Sequence, residues 1–245
     1  MQFKICTAPF SNPKTAKSAD YGYLNLIMHL APFDLSGYQV CRDATEGCAS
    51  ACLNTAGRGG LLKRGEHTNA IQAARVRRTQ LFFKDRDQFA DMLWADLVKL
   101  TTVAAWLGLT PCFRGNGTSD LPLEKIKLPG AFKGRTMMEA FGGMQFYDYT
   151  KVPIEKRGIG GMLPPNYDLT YSMNEGDESD YRAVQYLEHG YRAAAVFRKV
   201  LPSHYYGIKV VPGDDHDLTF THKPCILGLV AKGKGIHDTS GFVLD

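Results

Sequence analysis

The sequence lacks long hydrophobic runs and a strong excess of charge of either sign. No uninterrupted apolar stretch approaches the roughly 18–20 residues that a membrane-spanning helix requires. The first residues have neither the basic segment nor the apolar stretch and cleavage site of a signal peptide. The formal net charge of +4 over 245 residues does not by itself indicate a nucleic-acid-binding protein. These absences predict an intracellular protein with no membrane partner, in which the six cysteines stay reduced.

Several common catalytic and phosphate-binding motifs are also missing. The run Gly57-Arg58-Gly59-Gly60 is not followed by a glycine at position 62, so it fails the G-x-G-x-x-G dinucleotide pattern. There is no G-x4-G-K-[ST] phosphate loop, no H-E-x2-H zinc motif and no G-x-S-x-G nucleophile elbow. No repeat, low-complexity tract or Ser/Gly linker divides the chain. We therefore expect a single domain over residues 1–245.

The composition and the apolar periodicity are those of a folded α/β protein. Hydrophobic residues make up 44% of the chain and charged residues 22%, as in ordinary globular proteins. Before residue 66 the sequence predicts an irregular segment (7–23), a buried strand (23–30) and a cysteine and glycine loop (41–65). A helical pair follows over 66–107, with helices at 69–83 and 85–107. Asp85 and Gln88 have capping-box spacing at the start of the second helix, and Gly108 suits its end.

The rest of the chain alternates short apolar strands with polar strand ends. The predicted strands lie at 110–114, 144–147, 167–171, 191–197 and 225–230, with a helix at 180–190. This pattern predicts a parallel sheet, and in such sheets the reacting groups lie at the carboxyl ends of the strands. We therefore predict a partial or complete (β/α) barrel with a polar site at one end. The polar residues at these strand ends are Arg114, Asn116, Asp120, Asp148, Lys151, Asn174, Glu175, Lys232 and Lys234.

The most specific signal is the spacing C-x6-C-x3-C formed by Cys41, Cys48 and Cys52. Three thiols within twelve residues can converge on one inorganic centre, and thiolates suit zinc or an iron–sulfur cluster. Zinc would require a fourth ligand from elsewhere in the chain. The alternative is three buried structural cysteines, which the polar, glycine-containing surroundings disfavour. The spacing alone does not separate iron from zinc.

Four segments carry a resemblance to a known family. They are Cys41 to Gly60 (CRDATEGCASACLNTAGRGG), RGNGTSD at 114–120, YDYTK at 147–151 and AKGKGIHDTSGF at 231–242. Together they resemble a family of uncharacterised bacteriophage-encoded proteins over nearly the whole chain. More distantly, the sequence looks like other phage families that have a loop of three cysteines, a Ser-Asp-Leu segment and a Thr-Lys strand end. Those families are similar to radical S-adenosylmethionine (SAM) enzymes.

The distant resemblance implies a fold, a cofactor and a type of reaction. Radical SAM enzymes are partial (β/α) barrels in which three cysteines after the first strand hold a [4Fe–4S] cluster. By this resemblance Cys41, Cys48 and Cys52 hold the cluster, and the free iron takes the amino and carboxylate groups of SAM. The spacing differs from the common radical SAM motif, which is C-x3-C-x2-C. The expected substrate is a nucleotide, a nucleic acid or another small polar molecule in the cytoplasm of the infected host cell.

Candidate roles follow for the polar residues at the strand ends. The predicted catalytic residues are Asp120, Asp148, Lys151 and Glu175, and the predicted substrate- or cofactor-binding residues are Gly57, Gly59, Gly60, Arg114, Asn116, Ser119, Asn174, Lys232 and Lys234. The pair Asp120 and Asp148 also supports a second hypothesis, because paired carboxylates serve attack at a glycosidic carbon. In that hypothesis the protein is a transglycosylase-like enzyme that exchanges a base in nucleic acid, and the cysteines hold a structural zinc.

A third hypothesis rests on the basic stretch over 58–86. It holds eight Lys or Arg residues against two acidic ones: Arg58, Lys63, Arg64, Arg75, Arg77, Arg78, Lys84 and Arg86 against Glu66 and Asp85. Such a stretch attracts phosphates. The protein would then be a non-catalytic phage accessory protein that binds nucleic acid or a host factor. The plainer alternative is a solvated helix face.

Overall fold

The computed structural model describes residues 3–62, 65, 67–158 and 163–245. The described α-helices are α1 (Pro13–Lys17), α2 (Glu46–Ser50), α3 (Ala70–Lys84), α4 (Arg86–Leu107), α5 (Met137–Ala140), α6 (Ile154–Arg157) and α7 (Ser179–Glu188). The described strands are β1 (Tyr23–Ile27), β2 (Thr110–Arg114), β3 (Gln145–Thr150), β4 (Tyr167–Ser172), β5 (Arg192–Phe197), β6 (His204–Tyr205), β7 (Ile208–Pro212), β8 (Ile226–Val230) and β9 (Val243–Leu244). Within this part of the chain no helix has the length and apolar character needed to span a bilayer.

The two long helices begin and end where the sequence predicts. The Asn69 side chain accepts from the Gln72 amide at 2.9 Å and caps α3. Asp85 Oδ1 accepts from the Gln88 amide at 3.0 Å and caps α4. Gly108 ends α4 in the left-handed conformation, with φ 68°, which a glycine adopts at low cost. Local capping chemistry therefore sets the boundaries of this helical pair.

All the described strands join one sheet, and nearly all of its pairs are parallel. The strand order is β1-β2-β3-β4-β5-β8-β7-β6, and β9 pairs in parallel with the end of β5. The pair β6–β7 is the exception: it is an antiparallel hairpin. The predicted α/β class with a largely parallel sheet is confirmed, and the five long strands predicted after residue 109 are all present within a few residues of their expected bounds.

The two faces of the sheet have different coverings. One face carries side chains such as Leu26, Phe113 and Leu169, which form the main hydrophobic core with α4 and α7. The opposite face carries Cys112 and Tyr147, which pack against a segment over 213–225 that crosses the sheet. The alternation of side chains along each strand therefore decides which polar residues face the helices and which face that crossing segment.

Two local predictions need correction, and one described element was not predicted. The N-terminal segment predicted as irregular contains α1 and a short 3₁₀ turn, and the predicted loop over 41–65 contains α2 and two 3₁₀ turns. The hairpin β6–β7 was not predicted, because its turn residues Tyr206 and Gly207 both have positive φ, of 46° and 75°, and tyrosine is an unusual residue there. Lys63, Arg64 and Glu66 of the predicted basic stretch lie outside the described residues.

Candidate functional site

The loop after β1 folds over the carboxyl edge of the sheet and carries the three predicted metal ligands with it. We call residues 41–52 the thiol segment. Cys41 Sγ lies 3.9 Å from the Thr118 carbonyl oxygen. The Asp120 amide donates to the Val40 carbonyl at 2.9 Å. The loop that follows β2 therefore holds the start of the thiol segment at the sheet edge where the sequence predicts the site.

The three thiols of this segment are shielded from solvent and influence one another. Cys41 is 8% exposed, and Cys48 and Cys52 are half-buried. Burial, with smaller effects from Cys52, Asp120 and Cys48, raises the pKa of Cys41 to about 12. Burial also raises the pKa of Cys48 to about 11, although the Lys151 ammonium acts in the opposite direction. A cation bound at these sulfurs would favour their thiolate forms.

Lys151 is a buried cation at the end of β3, beside Cys48. It is 6% exposed, and its Nζ donates to the Ser172 carbonyl and hydroxyl oxygens at 3.0 and 3.1 Å. A third bond runs from Nζ to the Met173 carbonyl at 3.1 Å. Burial lowers the pKa of Lys151, while Cys48 and the neighbouring carboxylates act to raise it. The end of β4 thus positions one positive charge against the thiol segment.

Glu175 connects the end of β4 to the thiol segment. Its carboxylate accepts from the Gly47 amide at 2.6 Å and from the Thr45 hydroxyl at 2.7 Å. Both donors lie at the start of α2, where Thr45 Oγ1 also accepts from the Cys48 amide at 3.3 Å. A negative charge is favourable at a helix start because unpaired N–H groups point outward there. Glu175 therefore positions the helical turn that carries Cys48.

The C-terminal segment over 231–242 closes the other side of the thiol segment. A Cβ atom built on Gly47 would lie 2.1 Å from Ser240 Oγ and 2.8 Å from Phe242 Cβ. The Phe242 ring centroid lies 4.8 Å from Lys151 Nζ. The last of the four segments that carry the family resemblance therefore packs on the first.

The thiol segment offers free sulfur donors. All six cysteines are free thiols. In residues 3–62, 65, 67–158 and 163–245, no three His, Cys, Asp or Glu side chains are arranged to hold a metal ion. The metal site at Cys41, Cys48 and Cys52 therefore stays a prediction.

Asn116, Ser119 and Asp148 form one hydrogen-bonded network on the helix side of the sheet. Asp148 is 1% exposed, and its carboxylate accepts from the Asn116 amide at 2.6 Å and from Asn116 Nδ2 at 3.2 Å. The Tyr167 hydroxyl donates to the same carboxylate at 3.0 Å. Asn116 Oδ1 in turn accepts from Ser119 Oγ at 2.8 Å. The network shapes the loop after β2 and leaves the Asp148 carboxylate enclosed.

Asp120 links this loop to Lys151. Its carboxylate accepts from the Lys151 backbone amide at 2.7 Å and lies 3.7 Å from Arg157 Nη1. Burial raises the pKa of Asp120, and the Arg157 guanidinium opposes that rise. Asp120 therefore positions Lys151 through its backbone, and both predicted catalytic aspartates have protein partners.

Asp148 gives the protein a measurable pH dependence. Burial raises the pKa of this carboxyl to about 7, so folding favours its protonated form. The protonated Asp148 carboxyl stabilises the folded state fully at pH values below the pKa that it has in the unfolded chain. This stabilisation is lost as the pH rises through about 7. Between about pH 5 and pH 8, the wild type should lose roughly 2 kcal/mol more stability than Asp148→Asn. Urea unfolding at the two pH values measures this difference.

A matched control separates Asp148 from the other carboxyls. Asp87 is exposed in the first turn of α4, and Asp87→Asn should keep the pH slope of the wild type. Equal slopes for the wild type and Asp148→Asn would contradict the buried-carboxyl interpretation.

The predicted glycine-rich binding loop is a turn fastened to the start of α3. Asn69 Nδ2 donates to the carbonyl oxygens of Gly59 and Leu61 at 3.0 and 2.9 Å. Gln72 Nε2 donates to the Gly59 carbonyl at 2.7 Å. Gly57 has a φ of 54°, and a Cβ on Gly60 would lie 2.0 Å from the Thr55 carbonyl oxygen. The positive φ of Gly57 and the close approach at Gly60 give these two positions a structural reason to be glycine, and Gly59 contributes its carbonyl oxygen to the turn.

The remaining predicted site residues are spread over several positions. Arg114 lies on the sheet face opposite the helices, with its guanidinium carbon 4.6 Å from the Tyr149 ring centroid. Asn174 Oδ1 accepts from the Gly176 amide at 2.9 Å in the turn after β4. Lys232 Nζ is 2.5 Å from Asp214 Oδ1, and Lys234 is exposed. The structure thus brings Lys151 and Glu175 to the thiols.

The sequence interpretation missed a second polar cluster, on α3. Arg75 and Arg78 point inward toward His29 instead of forming a solvated basic face. A signal was present in the spacing of Arg75, Thr79 and Phe82, because positions i, i+4 and i+7 share one helix face and all three residues are buried. The basic stretch over 58–86 therefore has an interior component.

Comparison with known proteins identifies the family of this chain. The family model described as gene product 88 matches residues 6–245. Comparisons with curated proteins and with solved structures find no match. The resemblance to a phage-protein family is thereby confirmed. Because the match extends over nearly the whole chain, this protein belongs to the gene product 88 family (GP88).

Proposed function

We propose that this protein is an iron–sulfur enzyme similar to radical SAM enzymes, in which Cys41, Cys48 and Cys52 hold a [4Fe–4S] cluster. The observation that carries the proposal is the placement of the three cysteines on one loop over the carboxyl edge of a parallel sheet. That edge is where parallel α/β enzymes bind their ligands. The substrate class is a nucleotide, a nucleic acid or another small polar molecule.

The order of the strands supports a partial (β/α) barrel. From β1 to β5 each new strand adds to the same side of the sheet as the one before. A doubly wound sheet instead reverses its direction of growth at a switch point. Continuous growth in one direction is how a barrel is built, so this order favours the barrel over a dinucleotide-binding type of sheet.

The donor set also supports the proposal. In a [4Fe–4S] cluster each cysteine binds its own iron, so three thiolates leave one iron for a small molecule. When bound and reduced, such a cluster supplies the electron for cleavage of SAM. Lys151 and Glu175 place one positive and one negative charge beside the thiols. Because their hydrogen bonds go to the protein itself, we assign to both residues the positioning of the thiol segment and the electrostatic potential beside its sulfurs.

The base-exchange hypothesis has less support. It requires an aspartate that is open to substrate, whereas Asp148 is 1% exposed and bound to Asn116 and Tyr167. Asp120 is bound to the Lys151 amide and paired with Arg157.

The reducing cytoplasm of the infected cell, where we place the protein, suits an enzyme whose cysteines are free thiols.

Anaerobic purification with iron and sulfide analysis tests the proposal. The wild type should contain about four iron and four sulfide per chain after reconstitution and should show the visible absorbance of a reducible cluster. Replacing any one of Cys41, Cys48 and Cys52 with alanine should lower the iron content severalfold, because each thiolate holds a different iron.

The chain offers a matched control for these variants. Cys225 lies just before β8, at the amino ends of the strands and away from the carboxyl edge that the thiol segment covers. Cys225→Ala should therefore keep the full iron content. A colourless protein with stoichiometric zinc would contradict the proposal and favour the zinc alternative. Equal iron loss in the Cys225 variant and the thiol-segment variants would also contradict it.

A further inference from the structure

A cavity outside the thiol segment opens beside the first turns of α3. Its volume is about 290 Å³. Its walls include Thr7, His29, Ile71, Ala74, Arg75 and Arg78. None of these residues belongs to the thiol segment or to the carboxylate network around Asp148. The cavity therefore needs its own explanation.

Arg75 brings a buried positive charge to this cavity. It is 9% exposed, and its Nη1 donates to Asn54 Oδ1 at 2.6 Å. Its Nε has no hydrogen-bond partner among the described residues. No carboxylate in that part of the chain forms an ion pair with it. A buried, unpaired cation is costly, because burial removes its hydration.

Arg78 adds a second guanidinium three residues further along the same helix face. Its Nη1 donates to the His29 carbonyl oxygen. Burial lowers the pKa of Arg78, and Asp96 acts to raise it, but the Asp96 carboxylate accepts from the backbone amides of residues 4–6 at 2.7–3.0 Å. In the described chain Arg78 also forms no ion pair. Two guanidinium groups thus line one cavity without a carboxylate partner.

The pKa of His29 reflects the positive charges around the cavity. Burial and the charges of Arg75, Arg114 and Arg78 lower the pKa of His29 to about 3. The imidazole is therefore neutral at physiological pH, and Thr7 Oγ1 lies 3.2 Å from its Nδ1. Neutral polar groups and two cations make up the polar wall, which suits an anionic ligand.

We propose that this cavity binds the phosphate group of a nucleotide-sized phosphate monoester through Arg75 and Arg78. Guanidinium groups match phosphate oxygens with paired, charge-assisted hydrogen bonds. A phosphate monoester is mostly dianionic at neutral pH, so one group offsets both cations. The proposal uses no cysteine and does not depend on the iron–sulfur cluster.

The size and the apolar wall of the cavity indicate that the ligand is more than inorganic phosphate. A volume of about 290 Å³ is close to the lower end of small-molecule pockets, which begin at roughly 300 Å³. Ile71 and Ala74 lie one turn before the arginines and supply an apolar surface for an organic group. The phosphate binds at the arginines, and the remainder of the ligand packs on this surface.

Calorimetric titration of the full-length protein with adenosine 5′-monophosphate (AMP) tests the site. One AMP should bind per chain, and Arg78→Gln should weaken binding by about tenfold or more. Arg75→Gln should have a similar effect. Arg77→Gln is the matched control, because Arg77 is an exposed neighbour outside the cavity wall. Absence of AMP binding, or an equal loss in the Arg77 variant, would overturn the proposal.

A second variant keeps the test informative if Arg75→Gln folds poorly. Ile71 is 38% exposed at the cavity wall, so Ile71→Trp can fill the apolar part without disturbing the core. This variant should weaken AMP binding by about tenfold while inorganic phosphate, which does not need that space, still binds. Unchanged AMP affinity in this variant would overturn the assignment of the apolar wall.

Further probes identify the source of the phosphate. Adenosine should not bind, and adenosine binding as tight as that of AMP would overturn the proposal. A 5′-phosphorylated oligonucleotide that competes with AMP and requires Arg78 would support the same phosphate site with a strand end as its ligand. Cys41→Ala should leave AMP affinity unchanged, so failure of the iron–sulfur proposal would not imitate failure of this one.

Discussion

Replacing Arg157 with methionine is expected to lower the free energy of unfolding by about 3–5 kcal/mol at neutral pH. Arg157 is 1% exposed and lies 3.7 Å from Asp120 and 3.4 Å from Glu124. Methionine occupies much of the same space but carries no charge, so both carboxylates would remain buried without their cation. Urea unfolding followed by circular dichroism measures the loss.

The loss should become smaller in acid. Burial raises the pKa of Asp120 and of Glu124, and Arg157 opposes both shifts. Without Arg157 the two pKa values rise further. A carboxyl with a raised folded-state pKa loses its stabilising effect as the pH increases, so the deficit of Arg157→Met should be smaller at about pH 5 than at pH 8.

An exposed ion pair provides the control for this substitution. Arg182 pairs with Glu178 at 2.7 Å on α7, where the Glu178 side chain is 71% exposed. Arg182→Met should cost less than about 1 kcal/mol. Adding Glu124→Gln to Arg157→Met should recover part of the loss, because it removes one of the two unpaired charges. A deficit that grows on acidification would contradict the proposed cause.

Arg157 also bears on the candidate site. Asp120 lies between Arg157 and the Lys151 amide, with which it forms a 2.7 Å hydrogen bond. The position of Lys151 beside the thiols therefore depends on a cation that touches no thiol. This connection makes Arg157 a positioning residue for the site in addition to a stabilising one.

The elements that follow local rules were predictable from the sequence. The caps at Asn69 and Asp85 and the glycine at Gly108 mark α3 and α4, because capping depends only on neighbouring residues. The apolar runs with polar ends located the long parallel strands for the same reason. The strand pairing that makes the sheet parallel follows from the helices and loops between those strands.

It was harder to predict from the sequence which face of the sheet each polar residue occupies, although the alternation along one strand gave an indication. The predicted strand over 144–147 places Asp148 and Lys151 together at its polar end. Side chains alternate along a strand, so Asp148 shares the face of Phe146, which packs in the main core. The alternation predicts a helix-side position for Asp148, and the observed network with Tyr167 lies there.

The orientation of Arg75 and Arg78 could not be read from charge counts. Arg78 bonds to the His29 carbonyl, a residue 49 positions earlier in the chain, and Arg75 bonds to Asn54. Such contacts arise from the packing of α3 on the segments after β1, which the local sequence does not specify. Charge counts therefore do not distinguish a basic helix face from a basic cavity wall, and only the spacing of Arg75 with Thr79 and Phe82 indicated an interior position.

Gly47→Ala is expected to displace the thiol segment and lower the free energy of unfolding by about 1–3 kcal/mol. The new Cβ would lie 2.1 Å from Ser240 Oγ, 2.7 Å from Glu175 Oε1 and 2.8 Å from Phe242 Cβ. Either α2 or the C-terminal segment must move. Glu175 holds the start of α2, which carries Cys48, so displacement of this helical turn would expose the Cys48 thiol. The rate of thiol modification by a soluble disulfide reagent should then rise severalfold.

Two variants decide whether the close approach at Gly47 is the cause. Gly142→Ala is the control, because a Cβ there has no atom within 4 Å and the position has no positive φ. Adding Ser240→Ala to Gly47→Ala removes the closest of the three atoms and should restore part of the stability and of the thiol protection. The C-terminal segment would then be the element that holds α2 and its cysteines against the sheet edge. Wild-type thiol reactivity in Gly47→Ala would show instead that the thiol segment accommodates a side chain there, and Glu175 alone would determine its position.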